Sequence, residues 1–254
     1  MDYSVSLAIV LAVTGAIWLG ESWSARERRQ AGAPPEPRSW LLIPSRAIFL
    51  VVLAIALIRS SLLEPYEIPS GSMMPSLVAG DFILVSKFSY GLRMPFSEER
   101  IMPLGLPRRG DVVVFRSPTE RRALVKRLVG LPGDHVQVSA NRIRINGELV
   151  PLAAGGSYDG LGGFAGARLA REDLGQHQHD VLLVDTLPSF DFDAIVPKNT
   201  YFFMGDNRND SQDSRYPQVG FVPEENLIGP ALIIWMNWQG SGGPDWQRVG
   251  RRIR

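Results

Sequence analysis

The chain has 254 residues, with 27 lysines and arginines against 26 aspartates and glutamates, a formal charge of +1. That balance gives no reason to expect nucleic acid as a partner, and the absence of cysteine excludes disulfides and thiolate metal sites. The 25 glycines and 19 prolines imply many turns, and so a β-rich soluble part rather than a helical bundle.

The first third differs from the rest. Tyr3 to Gly20 carries no charge and is mostly apolar, a length that suits one membrane-spanning helix. Met1-Asp2 lacks the basic region of a cleaved signal peptide. A second apolar run, Ala47 to Ile58, lies between Arg46 and Arg59 and is lengthened by Ser60 to Leu63. Both arginines can snorkel toward headgroups, so a second span is expected, with a re-entrant or interfacial helix as the alternative. The intervening loop, 21–45, holds Arg26, Arg28, Arg29, Arg38 and a proline-rich stretch at 33–37, and reads as flexible and cytoplasmic by the positive-inside rule. Two spans would set everything after Leu63 outside the cytoplasm, against the lipid bilayer.

From Pro65 onward the pattern is short strands and turns. Asp81 to Val85 and Asp111 to Phe115 are β-branched or aromatic runs, each introduced by Gly-Asp. Arg142 to Ile145 alternates with period two before Asn146-Gly147, a strong hairpin signal. Thr200 to Met204 and Ala231 to Met236 complete the predicted strands, and no sustained helical periodicity or internal repeat interrupts them. From Pro151 to about Asp193 the composition turns to Gly, Ala and Asp. The expected architecture is therefore mainly β: a two-span membrane anchor over 1–63, a β-rich catalytic core over 64–150 and 194–254, and a smaller inserted β subdomain over 151–193.

Three blocks could carry chemistry. Pro69-Ser70-Gly71-Ser72 follows the second apolar run, so a nucleophilic hydroxyl there would sit near the bilayer surface. Taken alone, Ser-Gly-Ser reads first as an ordinary turn. Lys126 lies in the apolar run Leu124-Val125-Lys126-Arg127-Leu128-Val129, and only Lys87 and Lys198 accompany it as lysines. A lysine becomes a general base where burial strips its charge, whereas an arginine stays protonated. Alone, such a lysine is ordinarily an edge residue whose head reaches solvent. The third block, Gly205 to Arg215, is dense in hydrogen-bonding side chains. Its acids at 206, 210 and 213 do not follow calcium-loop spacing, so a surface loop is the plainer reading. His177 and His179 flank Gln178 without further ligands, and they read as surface residues.

Taken together and in order, these blocks resemble bacterial type I signal peptidase, also called leader peptidase. The resemblance runs through Ile68 to Leu77, Gly80 to Val85, Lys126 to Asp134, and Gly205 through Ser214-Arg215, covering most of 62–236 and weakest in the insertion. It implies a membrane-bound serine endopeptidase that removes N-terminal signal peptides from exported preproteins without metal or cofactor, on the periplasmic side of the inner membrane. It implies Ser72 as nucleophile and Lys126 as general base, with Ser70 and the Ser72 backbone N–H as oxyanion donors. Ser211 would hydrogen-bond the lysine head, and Asp213 with Arg215 would form a supporting ion pair. Pockets for small side chains would map to Ile68, Pro69, Leu77, Leu124 and Val125. Asn209-Asp210 inverts the family's usual order, and Leu124 stands where a tyrosine often lies. Two other readings remain: a Ser/Lys processing protease dedicated to one secretion or conjugation substrate, and an inactive membrane protein that holds signal sequences.

Overall fold

A computed structural model describes residues 3–32, 46–54, 63–93, 100–102, 104–120, 122–160, 163–175, 177–238 and 242–253. The chain divides into two compact units, Met1–Leu62 and Leu63–Arg254. In the first, helix α1 spans Tyr3–Gln30 and residues 46–54 are also helical. The two segments meet where the Trp18 ring lies 5.6 Å from Phe49 and the Arg46 guanidinium sits 5.8 Å over Trp18. Among the described residues no helix is long and apolar enough to cross a membrane. The second expected span, 47–58, is described only as far as 54, and the loop 21–45 only as far as 32; the remainder of both lies outside the described residues.

The second unit is built of strands: β1 Leu63–Glu67, β2 Asp81–Ser86, β3 Leu92–Arg93, β4 Arg100–Met102, β5 Val112–Arg116, β6 Ala123–Gly130, β7 His135–Ser139 and β8 Arg142–Ile145. They continue as β9 Glu148–Leu149, β10 Leu152–Ser157, β11 Arg168–Asp173, β12 Gln178–Leu183, β13 Phe192–Ile195, β14 Thr200–Met204, β15 Val222–Pro223 and β16 Leu227–Asn237. The main sheet has the order β1-β2-β16-β5-β6-β14-β15, with antiparallel pairing throughout. A four-stranded sheet β13-β7-β8-β9, a three-stranded sheet β10-β11-β12 and the hairpin β3-β4 accompany it. The mainly β character follows from the sequence: β-branched runs supply strands, and Asn146 and Gly147, at φ 53° and 86°, close the β8–β9 hairpin.

Strand β5 is buried along Val112 to Phe115, because its two faces meet different cores. Val112 and Val114 pack with Ile83, Val85 and Ile234, while Val113 and Phe115 pack with Leu128 and Phe203. A strand covered on both sides reads as a continuous apolar run rather than an alternating one. The four-stranded sheet joins through Val129, Phe202 and Met204 packed on Val136, Val138 and Ile143. The three-stranded sheet lies within the segment 151–193, and its Leu182 shares a buried cluster with Tyr158, Met74 and Val78.

Candidate active site

Lys126 sits in the middle of β6, and β6 lies between β5 and β14. An interior strand gives a lysine no lateral escape to solvent, so the edge-residue reading does not hold. Lys126 is 3% exposed, opposite Val113 on the neighbouring strand. Its amine donates to the Ser72 hydroxyl at 2.6 Å. Burial drives the Lys126 pKa down from 10.5 to about 8, outweighing the upward pull of the Asp213 and Asp206 carboxylates, while Arg122 and Arg215 add to the depression.

Ser72 belongs to a short turn, and that turn is tied down by the third block of the sequence. The Asn207 backbone N–H donates to the Ser72 carbonyl at 3.1 Å, and its side-chain amide donates to the Gly71 carbonyl at 3.2 Å. The Met74 N–H returns to the Gly71 carbonyl at 3.0 Å. Ser70 is exposed and its hydroxyl lies 3.4 Å from that of Ser72, within reach of an oxyanion formed there.

The remaining predicted residues divide. Asp213 and Arg215 form the expected pair, bidentate at 2.8 Å on both arms and fully buried at their side chains, and Asp213 also accepts the Gly205 N–H at 2.9 Å. Ser211 is buried nearby, but its hydroxyl has no hydrogen-bond partner, so the expected bond to the lysine head is not made; the amine is committed to Ser72 instead. A Cβ added to Gly205 would lie 2.1 Å from the Ser211 hydroxyl oxygen and 2.5 Å from the Ser72 carbonyl oxygen. Only glycine fits between these two serines.

Among the expected pocket residues, Ile68, Leu77 and Val125 share one cluster with Met73, while Leu124 packs into the cluster of Phe115 and Phe203. Strand alternation separates Leu124 from its neighbour Val125. Pro69 is exposed, but Ile68 and Leu77, at 3% and 0% exposure, are core residues and present almost no surface to a substrate here.

Several participants escaped the sequence reading. Arg127, next to the lysine, is fully buried and chelates Asp206 at 2.8 and 2.7 Å, while Ser76 donates to the same carboxylate at 2.5 Å. Burial alone would raise the Asp206 pKa; Arg127 carries it below the ordinary range. Arg208 chelates Glu172 on β11 at 2.6 and 2.5 Å, both groups buried. His179, read above as a surface residue, is buried between these pairs, its Nε2 3.4 Å from Glu172 and 3.8 Å from Asp206. Two acids of the third block, Asp206 and Asp213, are thus bound to guanidinium groups. Among the described residues no group of three or more histidines and carboxylates could hold a metal ion. No local pattern marks these pairs: Arg127 follows Lys126 rather than an acid, and Arg208, two residues after Asp206, bonds Glu172 instead.

An antiparallel β core that presses an amine against a serine hydroxyl describes a serine-type hydrolase with lysine in place of imidazole. Residues 39–238 match the family model described as signal peptidase, peptidase S26. Signal peptidase I of Pseudomonas aeruginosa is 38% identical, and that of Pseudomonas fluorescens 41% identical, each alignment covering 98% of both chains. Signal peptidase I of Buchnera aphidicola is 39% identical over 76% of this chain and 74% of its own. The chain belongs to the signal peptidase, peptidase S26 family, and it is a peptidase.

Proposed function

We propose that this enzyme removes N-terminal signal peptides from exported preproteins, with Ser72 as nucleophile and Lys126 as general base. The observation that carries the assignment of roles is the 2.6 Å contact between the Ser72 hydroxyl and a lysine amine that burial has brought to a pKa of about 8. In its neutral form the amine accepts the Ser72 proton, and the oxygen attacks the scissile carbonyl carbon. The oxyanion of the tetrahedral state takes hydrogen bonds from the Ser70 hydroxyl and the Ser72 N–H. The ammonium of Lys126 protonates the departing amine, leaving the signal peptide as an ester on Ser72. Water attacks that ester with the same amine as base, and Ser72 regains its proton.

Asp213, paired with Arg215, accepts the Gly205 N–H and so steadies the start of the loop whose Asn207 holds the Ser72 turn. Asp206 fixes Arg127 beside the base. Signal peptides end in an Ala-x-Ala-like site, which shallow apolar walls at Pro69 and Val125 would accept, with Ile68 and Leu77 beneath; Leu124, on the opposite face of β6, lies outside that wall.

The substrate class calls for a position at the membrane. Helix α1 is 28 residues long, about 42 Å at 1.5 Å per residue, and leaves Ile9, Val10, Val13, Ile17 and Leu19 exposed. Exposed aliphatic side chains along an uncharged segment suit lipid, and the arginines that follow suit the cytoplasmic side. We read 1–63 as the two-span anchor and Leu63 onward as extracytoplasmic. Leu232 and Trp235 on β16 and Trp238 just after it are exposed and fit headgroup level.

Cleavage of several unrelated preproteins by the purified enzyme, lost in both Ser72→Ala and Lys126→Arg, is the test. The arginine variant keeps the positive charge but cannot accept a proton. Turnover in either variant removes that residue from its role, and cleavage of one preprotein alone favours a dedicated processing protease.

A further inference from the structure

Beyond the catalytic pair lies a recess of about 500 Å³ between the C-terminal tail and the inserted sheet. Ser76, Tyr158, His179, Arg248, Arg251 and Arg252 contribute to its walls. Three guanidinium groups thus border one concavity. Arg248 is already neutralised, bound to Asp81 at 2.8 and 2.6 Å, and so serves as frame. The one acid in the wall, Asp180, is turned to Arg171 at 2.9 Å. Arg251 and Arg252 are exposed, and among the described residues neither has a carboxylate within ion-pair distance. The Arg251 Nε–H donates to the Gln247 carbonyl at 2.8 Å, a neutral partner, so among the described residues no carboxylate offsets either charge.

The tail that carries them is not loose. The Ile234 N–H donates to the Arg251 carbonyl at 2.9 Å, the Gly250 N–H to the Ile234 carbonyl at 2.7 Å, and the Ile253 N–H to the Leu232 carbonyl at 2.9 Å. These bonds fix both arginines beside the stretch of β16 that exposes Leu232 and Trp235, with Trp238 exposed just after the strand and Trp246 just before Arg248. Exposed indoles next to guanidinium groups that lack a carboxylate partner among the described residues suit the headgroup layer, where rings rest at the interface and arginine binds phosphate oxygens bidentately.

We propose that this recess is a phosphate-diester site, occupied by the headgroup of an anionic phospholipid, with Arg251 and Arg252 as its ligands. The inference rests on the membrane location given above.

The test uses the full chain. Tryptophan fluorescence is followed while dihexanoyl phosphatidylglycerol or inorganic phosphate is added, for wild type, Arg251→Gln/Arg252→Gln and Arg251→Lys/Arg252→Lys. At about 1 kcal/mol for each arginine, the glutamine pair should need on the order of 10- to 30-fold more lipid, and the lysine pair should fall between. Preprotein cleavage in phosphatidylcholine vesicles should be equal in all three, which shows the fold and catalytic pair intact. Saturation by the lipid but not by phosphate places the ligand in the bilayer; saturation by both at similar concentration keeps the anion site but makes its source soluble phosphate and overturns the lipid assignment. A glutamine pair that titrates like wild type, or the absence of any saturable response, overturns the site. The titration needs no turnover, so a failure of the peptidase reading would be seen separately, as missing cleavage by wild type.

Discussion

Replacing Gly205 with alanine should disable the enzyme without unfolding it. The added Cβ would lie 2.1 Å from the Ser211 Oγ, 2.5 Å from the Ser211 Cβ and 2.5 Å from the Ser72 carbonyl oxygen. An ordinary contact begins near 3.4 Å, so the Ser72 backbone or β14 must shift by about 0.9 Å. Overpacking of that kind costs roughly 1–3 kcal/mol in stability. A displacement near 1 Å at a reacting atom costs about 10²-fold in rate, because the hydroxyl leaves its line to the base. The assay is kcat on a preprotein substrate with a thermal melt on the same sample. Adding Ser211→Gly separates the two effects, since it removes both Ser211 contacts and leaves the clash with the Ser72 carbonyl. The double variant should regain part of its melting temperature while kcat stays low. A Gly205→Ala enzyme with kcat within about threefold of wild type and an unchanged melt would refute the reasoning, since a 1 Å shift could not then have occurred.

Lys126→Met should be more stable than wild type at neutral pH. A buried lysine whose pKa falls from 10.5 to about 8 penalises the folded state fully below pH 8, and the penalty fades as pH rises toward 10.5. The shift of 10.5 − 8 = 2.5 units corresponds to about 3 kcal/mol, so denaturant midpoints at pH 7 should differ by that order and converge at high pH. Glu172→Gln leaves the Arg208 guanidinium buried without its carboxylate and should cost about 3–5 kcal/mol in urea unfolding; a loss under 1 kcal/mol would show the pair to be dispensable. Arg122→Gln removes an exposed positive charge that helps depress Lys126, so the acid limb of kcat/KM should move to higher pH; movement the other way would contradict the sign.

Much of this was legible in the residues. The strands at 81–86, 112–116, 142–145 and 200–204 lie where β-branched alternation and turns put them, and Asn146-Gly147 closes the hairpin it signals. What local pattern could not supply was strand order. Lys126 reads as an edge residue until β14, over 70 positions later, closes on β6 from the side opposite β5. The same non-locality hid the ion pairs: Arg127 finds Asp206 79 positions away, and Arg208 finds Glu172 36 away. His179 alternates with polar neighbours and so looks exposed, yet β12 turns it inward onto both carboxylates. Ser211 was read by resemblance as a partner of the lysine, whereas the Lys126 amine points to Ser72 and the Ser211 hydroxyl is left buried and unpaired beside Gly205.

The most direct measurement is the titration of the Lys126 amine itself, by ¹⁵N NMR of lysine-labelled Ser72→Ala protein, set beside the pH dependence of kcat/KM in wild type. Both should give a midpoint about 8, with the rate falling about tenfold for each pH unit below it. An amine that titrates near 10.5, or a rate that stays flat from pH 6 to pH 9, would contradict a neutral lysine as the base.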